Sequence, residues 1–199
     1  GLYVGTPLRP ELFSGSREKG LKLFGFRDDR PVLMVVGGSS GAQAINRALR
    51  AALPGLTAGF QVLHLCGAGN LETNFEGTAG YCQKEYLTDE MPHAYAAADV
   101  LISRAGSNTL SEILALRKPS LLIPYPMTAS RGDQIMNAKS FESRGLARVL
   151  YQEDMTPDTL RARVVEVYKE RGSLIDAMEK EPSANGLKNV LKSIREYAK

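Results

Sequence analysis

The chain has 199 residues, of which 43% are hydrophobic and 24% charged, with a formal net charge of +3. This length suits one well-cored domain. The charge permits an anionic ligand or a membrane surface but is far too small to argue for nucleic-acid binding on its own. Two cysteines and two distant histidines provide neither a disulfide framework nor a zinc-binding pattern, which favours a reduced, cytosolic protein.

Short apolar runs alternate with helical patterns along the chain, as is typical of a parallel sheet covered by helices. The predicted strands are Pro31–Gly37, Phe60–Leu65, Cys82–Leu87, Val100–Ser103, Ser120–Ile123 and Ala147–Tyr151. The predicted helices are Ala42–Leu53, Met91–Ala98, Thr109–Arg117, Asp133–Arg144 and one that opens at Thr156-Pro157, with Gly67–Gly80 as a surface loop. The order predicts an α/β fold, a Rossmann-like doubly wound parallel sheet with helices on both faces. Ligands of such a sheet bind at the carboxyl ends of the strands.

Three segments are predicted along the chain. Residues 1–12 have the character of an interdomain linker end, residues 13–181 form the α/β domain, and residues 182–199 form an amphipathic helix. One face of that last helix is basic and another is apolar, so it either packs on the domain or touches a membrane surface.

The first candidate site is the Gly-rich loop, Gly37–Gly41, between the best strand and a helix. Gly38, Ser39 and Gly41 would let backbone N–H groups approach an anion at the helix N-terminus. The spacing is neither G-x-G-x-x-G nor a Walker A loop. A simple turn without a ligand is an equal alternative.

The second candidate is the stretch Ser103–Glu112, again at a junction from strand to helix. Its small and hydroxylated side chains suit a phosphate, and the two oxygens of Glu112 suit the vicinal diol of a ribose. Thr109 and Glu112 also have the spacing of a capping box, which needs no ligand.

The third candidate is Asp133 with Gln134, at the start of the helix that follows Pro124-Tyr125-Pro126. Both side chains offer groups that bind sugar hydroxyls, although Asp133 could be only an N-cap. Because all three candidate loops follow parallel strands, they are expected at one edge of one sheet.

Together these motifs resemble the C-terminal domain of the MurG family, the bacterial UDP-N-acetylglucosamine transferases that convert lipid I to lipid II in peptidoglycan synthesis. The similarity covers most of the chain to about Tyr151. It is carried, in order, by Gly5–Arg9 (GTPLR), Gly37–Asn46 (GGSSGAQAIN), Tyr86–Val100 (YLTDEMPHAYAAADV), Arg104–Glu112 and Asp133–Ala138 (DQIMNA).

The resemblance implies a donor site on this chain, in the second half of a two-domain GT-B fold. It places the diphosphate at Arg9, Gly38, Ser39 and Gly41, and the uracil edge at the backbone of Leu87 and Thr88. It places further phosphate contacts at Ser107, Asn108 and Thr109, and it includes Leu110 and Ser111 among the substrate-binding residues. The ribose is placed at Glu112, and the donor sugar at Asp133 and Gln134. It implies no cofactor.

The implied reaction is inverting transfer of the sugar from UDP-N-acetylglucosamine to a lipid acceptor. No Asp-x-Asp motif for a divalent metal is present, so loop N–H groups, a helix dipole and Arg9 would stabilise the leaving diphosphate. Neither His64 nor His93 suits a general base, so no catalytic residue is predicted here. The resemblance assigns the base and acceptor site to an N-terminal domain that would meet the lipid at the cytoplasmic face of the membrane.

Two other functions stay open from the sequence. One is a related transferase that uses a different UDP-hexose. The other is a stand-alone donor-binding subunit that needs a partner chain, which the linker-like segment Gly1–Leu12 disfavours. An NAD-binding domain fits worst, because the glycine spacing and an acidic residue after the second strand are both missing.

Overall fold

The computed structural model describes residues 8–37, 42–128 and 132–181. The described strands form one parallel sheet in the order β3-β2-β1-β4-β5-β6, which confirms the predicted doubly wound fold. The strands are β1 Val32–Val36, β2 Gln61–Leu65, β3 Tyr81–Lys84, β4 Val100–Ser103, β5 Ser120–Leu122 and β6 Arg148–Val149.

The helices are α1 Arg17–Leu23, α2 Gln43–Leu56, α3 Met91–Ala97, α4 Ser107–Ala115, α5 Asp133–Ser143, α6 Pro157–Lys169 and α7 Arg171–Glu179. Short 3-10 helices span Pro10–Phe13, Thr73–Phe75 and Gln152–Asp154. No helix in these ranges is long and apolar enough to cross a bilayer.

The chain runs outward from β1 in two directions. It passes first to β2 and β3, then returns to β4 on the other side of β1 and continues to β5 and β6. Because crossover connections are right-handed, this reversal places α2 and α4 on opposite faces of the sheet. The reversal also opens a crevice between the carboxyl ends of β1 and β4, where such sheets bind ligands.

The core is continuous through the central strands. Every residue of β2 and β4 is buried, and so are the first four residues of β1. The predicted apolar face of α2, with Ile45, Leu49 and Leu53, is buried, and this helix packs on α6. It continues past Pro54 to Leu56, one turn beyond its predicted end, because Leu56 is itself buried in the core.

Helix α1 was not predicted, and it packs closely against α3. A Cβ on Gly15 would lie 2.0 Å from the carbonyl oxygen of Pro92, and one on Gly20 would lie 2.3 Å from that of His93. Leu12, in the 3-10 helix before α1, is also buried in the core. The packed domain therefore includes residues that the sequence assigned to a linker.

Other boundaries moved by a few residues. The short helix α7 was not predicted, and the last strand shrinks to Arg148–Val149. The predicted cap at Thr156 is confirmed, since its hydroxyl accepts from the backbone N–H of Thr159 at 3.1 Å. The predicted helix over Pro182–Lys199 lies outside the described residues.

Candidate functional site

Two of the candidate loops leave the sheet side by side. Val36 at the end of β1 pairs with Ser103 at the end of β4, so the segments that follow them flank the crevice between these strands. The buried Gly37 begins the Gly-rich loop, while Gly38, Ser39 and Gly41 lie outside the described residues. Gly37 and the segment that follows Ser103 therefore begin at the same edge of the sheet.

The N-terminus of α4 borders this crevice. The helix begins at Ser107, two residues earlier than predicted, and its N-cap is Gly106 in an extended conformation. The cap lacks a side-chain acceptor, so the amides of Ser107, Asn108 and Thr109 form the open first turn of the helix. An open first turn of this kind attracts an anion.

The later turns of α4 are less open. Leu110 is buried and donates its backbone N–H to the carbonyl of Gly106, so it can offer little to a ligand. The hydroxyl of Ser111 donates to the carbonyl of Ser107 at 3.0 Å. Of the α4 residues that the resemblance implied for substrate binding, the first three are the best placed for a phosphate.

Glu112 does not form a capping box, because Thr109 is the third residue of the helix and not its N-cap. Its carboxylate instead accepts a hydrogen bond from the hydroxyl of Tyr95 on α3, at 2.7 Å. Burial and the adjacent Glu112 charge both raise the pKa of the Tyr95 hydroxyl, so it stays a donor. Oxygen Oε2 of Glu112 is thereby fixed, while Oε1 makes no hydrogen bond within the described parts of the chain.

Two side chains of α5 form hydrogen bonds with the backbone of Ala105, the residue that precedes the N-cap of α4. The side-chain oxygen of Gln134 accepts from the backbone N–H of Ala105 at 3.3 Å and from that of Tyr125 at 3.2 Å. The side-chain amide of Asn137 donates to the carbonyl of Ala105 at 3.0 Å. Both backbone polar groups of Ala105 are therefore held from α5.

These hydrogen bonds limit the groups of Gln134 that remain available to bind a sugar. Its oxygen is committed to two backbone donors, so its amide nitrogen is the group left for a ligand hydroxyl. Asp133 is exposed at the first position of α5 and is not the N-cap. The cap is Gly132, whose φ of +86° suits glycine.

Arg104 supports the loops of the candidate site, a role that the sequence did not predict. It is buried, its guanidinium donates to the carbonyls of Ile123 and Pro124, and it stacks at 4.0 Å on the ring of Tyr125. The sequence could have indicated this role, because Arg104 is a charged residue directly after a strand whose residues are all buried. Arg104 ties the end of β4 to the end of β5 and so supports both loops.

The segment after β3 contributes backbone groups. The amide of Thr88 is occupied by the Glu90 carboxylate at 3.2 Å, which leaves it less suited to a base edge than predicted. The N–H and C=O of Leu87 have no partner among the described residues. Leu87 is therefore the better candidate for contact with uracil.

Arg9 is exposed and its carbonyl accepts from Leu12. The 3-10 helix that it opens contacts α3, the helix that also carries Tyr95. Arg9 therefore lies on the same side of the domain as α3, and its side chain makes no hydrogen bond or ion pair with the other described candidate residues.

The two histidines are structural, as the sequence suggested. His93 accepts the backbone N–H of Ser16 at 2.9 Å, which fixes α1 on α3. His64 is fully buried between the hydroxyl of Tyr81 and the side-chain oxygen of Asn46. Burial, with a smaller effect from the positive charge of Arg50, lowers the pKa of His64 to about 3.

Comparison with known proteins points to one family. Residues 32–194 match the glycosyltransferase family 28 C-terminal domain. The chain is 44% identical, over its whole length, to a Clostridium botulinum protein named UDP-N-acetylglucosamine--N-acetylmuramyl-(pentapeptide) pyrophosphoryl-undecaprenol N-acetylglucosamine transferase. A protein of the same name from Lachnospira eligens is 45% identical. The chain spans 56% of each of these relatives.

Solved structures agree with this match. The crystal structure of Acinetobacter baumannii MurG superposes with a TM-score of 0.67 at 25% identity, covering 96% of this chain and 57% of that one. The calicheamicin glycosyltransferase CalG4 superposes with a TM-score of 0.63 at 18% identity, covering 82% and 39% respectively, which is a likeness of fold.

Proposed function

Since the chain belongs to glycosyltransferase family 28 as its C-terminal domain, we propose that it is the part of a lipid II-forming transferase that binds UDP-N-acetylglucosamine. Its curated relatives are named for that donor and for an undecaprenol-linked acceptor. The observation that carries the proposal is the crevice between β1 and β4. One Gly-rich loop and one uncapped helix N-terminus flank it.

The proposed donor lies across this crevice. Its diphosphate meets the first-turn amides of α4 and the Gly-rich loop, including Gly38, Ser39 and Gly41, with Arg9 nearby. Amides and a helix dipole stabilise the negative charge that UDP gains as it leaves. The ribose diol binds the open oxygen of Glu112, and the uracil edge meets the backbone of Leu87, since the backbone groups of Thr88 are already bonded.

The sugar extends toward α5, where Asp133 and the amide nitrogen of Gln134 bind its hydroxyls. An acceptor hydroxyl then attacks the anomeric carbon, the bond to the diphosphate breaks, and UDP departs with the electron pair. A base takes the hydroxyl proton. We assign that base and the acceptor site to an N-terminal domain, because relatives are nearly twice as long and His64 and His93 are committed to structure.

The proposed acceptor is a lipid, so the proposed place of action is the cytoplasmic face of the membrane, reached through the N-terminal domain. The same assignment makes residues 13–181, with the packed Leu12, the donor-binding unit. The chain alone should therefore bind the donor without transferring its sugar. Turnover of lipid I above background by this chain would overturn the assignment of the base.

Titration calorimetry with UDP, with and without a chelator, tests the phosphate site. We expect equal affinity in both, because the sequence has no Asp-x-Asp motif and amides carry the charge. Loss of binding on chelation would contradict the proposed site.

A second titration tests the sugar. Asp133→Ala should weaken UDP-N-acetylglucosamine binding and leave UDP binding nearly unchanged, since Asp133 is exposed and makes no hydrogen bond within the described chain. The wild-type chain should prefer this donor to UDP-galactose, because a displaced hydroxyl leaves its partner unpaired. Equal affinity for both sugar nucleotides would remove the reason for naming N-acetylglucosamine.

A further inference from the structure

A second concave site lies at the opposite edge of the sheet. Its volume is about 500 Å³, and it is bounded by the segments that precede β4 and β5 and by the junction of α6 and α7. Four cationic side chains line it, namely Arg117, Lys118, Lys169 and Arg171. Since β4 alone spans about 10 Å, the site is well separated from the donor crevice.

The single acidic side chain in this lining is already neutralised. Asp99 pairs with Arg17 at 3.2 Å and accepts the backbone N–H of Val32 at 2.8 Å. Arg117 pairs with Glu179 at 3.5 Å, but both side chains are about half exposed, so the pair is weak and exchangeable. The cavity therefore has an excess of positive charge.

Lys118 is the most enclosed of the four cations. Its ammonium donates to the carbonyl of Ala98 at 3.0 Å, the one hydrogen bond it makes within the described ranges. An ammonium carries three donors, so two remain for a ligand. Burial lowers the pKa of this group, and an anion beside it would offset that cost.

Arg117 adds an independent observation. It follows α4 with a φ of +51°, the one positive value of a non-glycine residue in the described ranges. At this position the chain turns back, with the amide of Lys118 bonded to the carbonyl of Ile113, and glycine would be the unstrained choice. In this conformation Arg117 lines the cavity next to Lys118.

We infer that this cavity, defined by Arg117, Lys118, Lys169 and Arg171, binds a phosphorylated ligand at a site separate from the donor crevice. Gly172, in the first turn of α7, also borders it. The shared chemistry is a phosphate or diphosphate group, carried by a free solute or by a lipid headgroup. The inference does not depend on the proposed transferase function.

Calorimetry with inorganic pyrophosphate tests the inference, with UDP saturating so that the donor crevice is occupied. Arg117→Gly and Lys169→Ser should each weaken binding, and together by about tenfold or more. Lys139→Ser, which removes an exposed charge elsewhere, is the matched control. Arg117→Gly should also raise the melting temperature, because it removes the backbone strain, so a loss of affinity there is not a loss of folding.

Vesicles of phosphatidylglycerol, compared with phosphatidylcholine, distinguish the two sources. Binding of the anionic vesicles that falls in Arg117→Gly and Lys169→Ser assigns the phosphate to a lipid, and cavity-dependent binding of pyrophosphate alone assigns it to a solute. The inference is overturned if the wild-type chain binds neither probe, or if both variants bind the probes as the wild type does.

Discussion

Because Glu112 contacts Tyr95, the substitution Glu112→Ala should change both the affinity for UDP and the stability of the fold. Glu112→Ala removes the carboxylate proposed to hold the ribose diol, so UDP should lose about 1–3 kcal/mol of binding free energy, or roughly 5- to 150-fold in affinity. The same change leaves the hydroxyl of Tyr95, a residue that is only 3% exposed, without its acceptor at 2.7 Å. An orphaned buried donor lowers the free energy of unfolding by about 1–3 kcal/mol.

A double substitution separates the two effects. Tyr95→Phe combined with Glu112→Ala removes both partners of the bond, so much of the stability lost in Glu112→Ala should return. Its UDP affinity should stay as low as that of Glu112→Ala, because the carboxylate is still missing. Urea unfolding gives the stabilities, and calorimetry gives the affinities.

One result would refute this reasoning. If Glu112→Ala unfolds more easily than the wild type but binds UDP with the same affinity, then Glu112 serves only as the acceptor for Tyr95. The ribose contact would then belong to another residue, and α4 would keep only the phosphate role.

Three further predictions concern the scaffold. Because the pKa of His64 falls from 6.5 to about 3 on folding, stability present above pH 6.5 is lost as the pH falls toward 3, at about 1.4 kcal/mol per unit. Urea unfolding between pH 7 and pH 4.5 measures how the free energy of unfolding changes with pH. This change should be smaller in His64→Leu than in the wild type, and equal changes would show that His64 does not cause the loss of stability at low pH. Gly15→Ala should destabilise the fold by about 1–3 kcal/mol, because its Cβ would meet the carbonyl of Pro92 at 2.0 Å. Gly59→Ala, which has open space around it, is the control, and equal melting temperatures for the two would contradict the close packing. Asn137→Ala should weaken UDP binding although this side chain is not proposed to touch UDP, and unchanged affinity in calorimetry would show that α5 does not position the phosphate site.

The sequence predicted the sheet well because its strands are buried on both faces and therefore read as continuous apolar runs. It missed α1, whose seven residues include Gly20 and lack a strong helical pattern. That helix is held by close packing on α3, a tertiary interaction between residues nearly 80 positions apart in sequence. Local propensity does not contain such information.

The candidate site was predictable in its location but not in its hydrogen bonds. Spacing alone made Glu112 either a ribose ligand or a capping residue, and the actual partner, Tyr95, comes from another helix. Gln134 was similarly assigned to a sugar, although its oxygen is bound to two backbone amides. A side chain that binds the backbone of a neighbouring loop leaves no periodic signal in the sequence.

The hydrogen bonds from α5 to Ala105 affect how the protein would select a donor. Gln134 and Asn137 bind both backbone polar groups of the residue that leads into α4, so two hydrogen bonds join the proposed sugar side of the crevice to its proposed phosphate side. A displacement of either side is transmitted to the other. A sugar that fits poorly would therefore also displace the leaving diphosphate, and its transfer would be slower as well as its binding weaker.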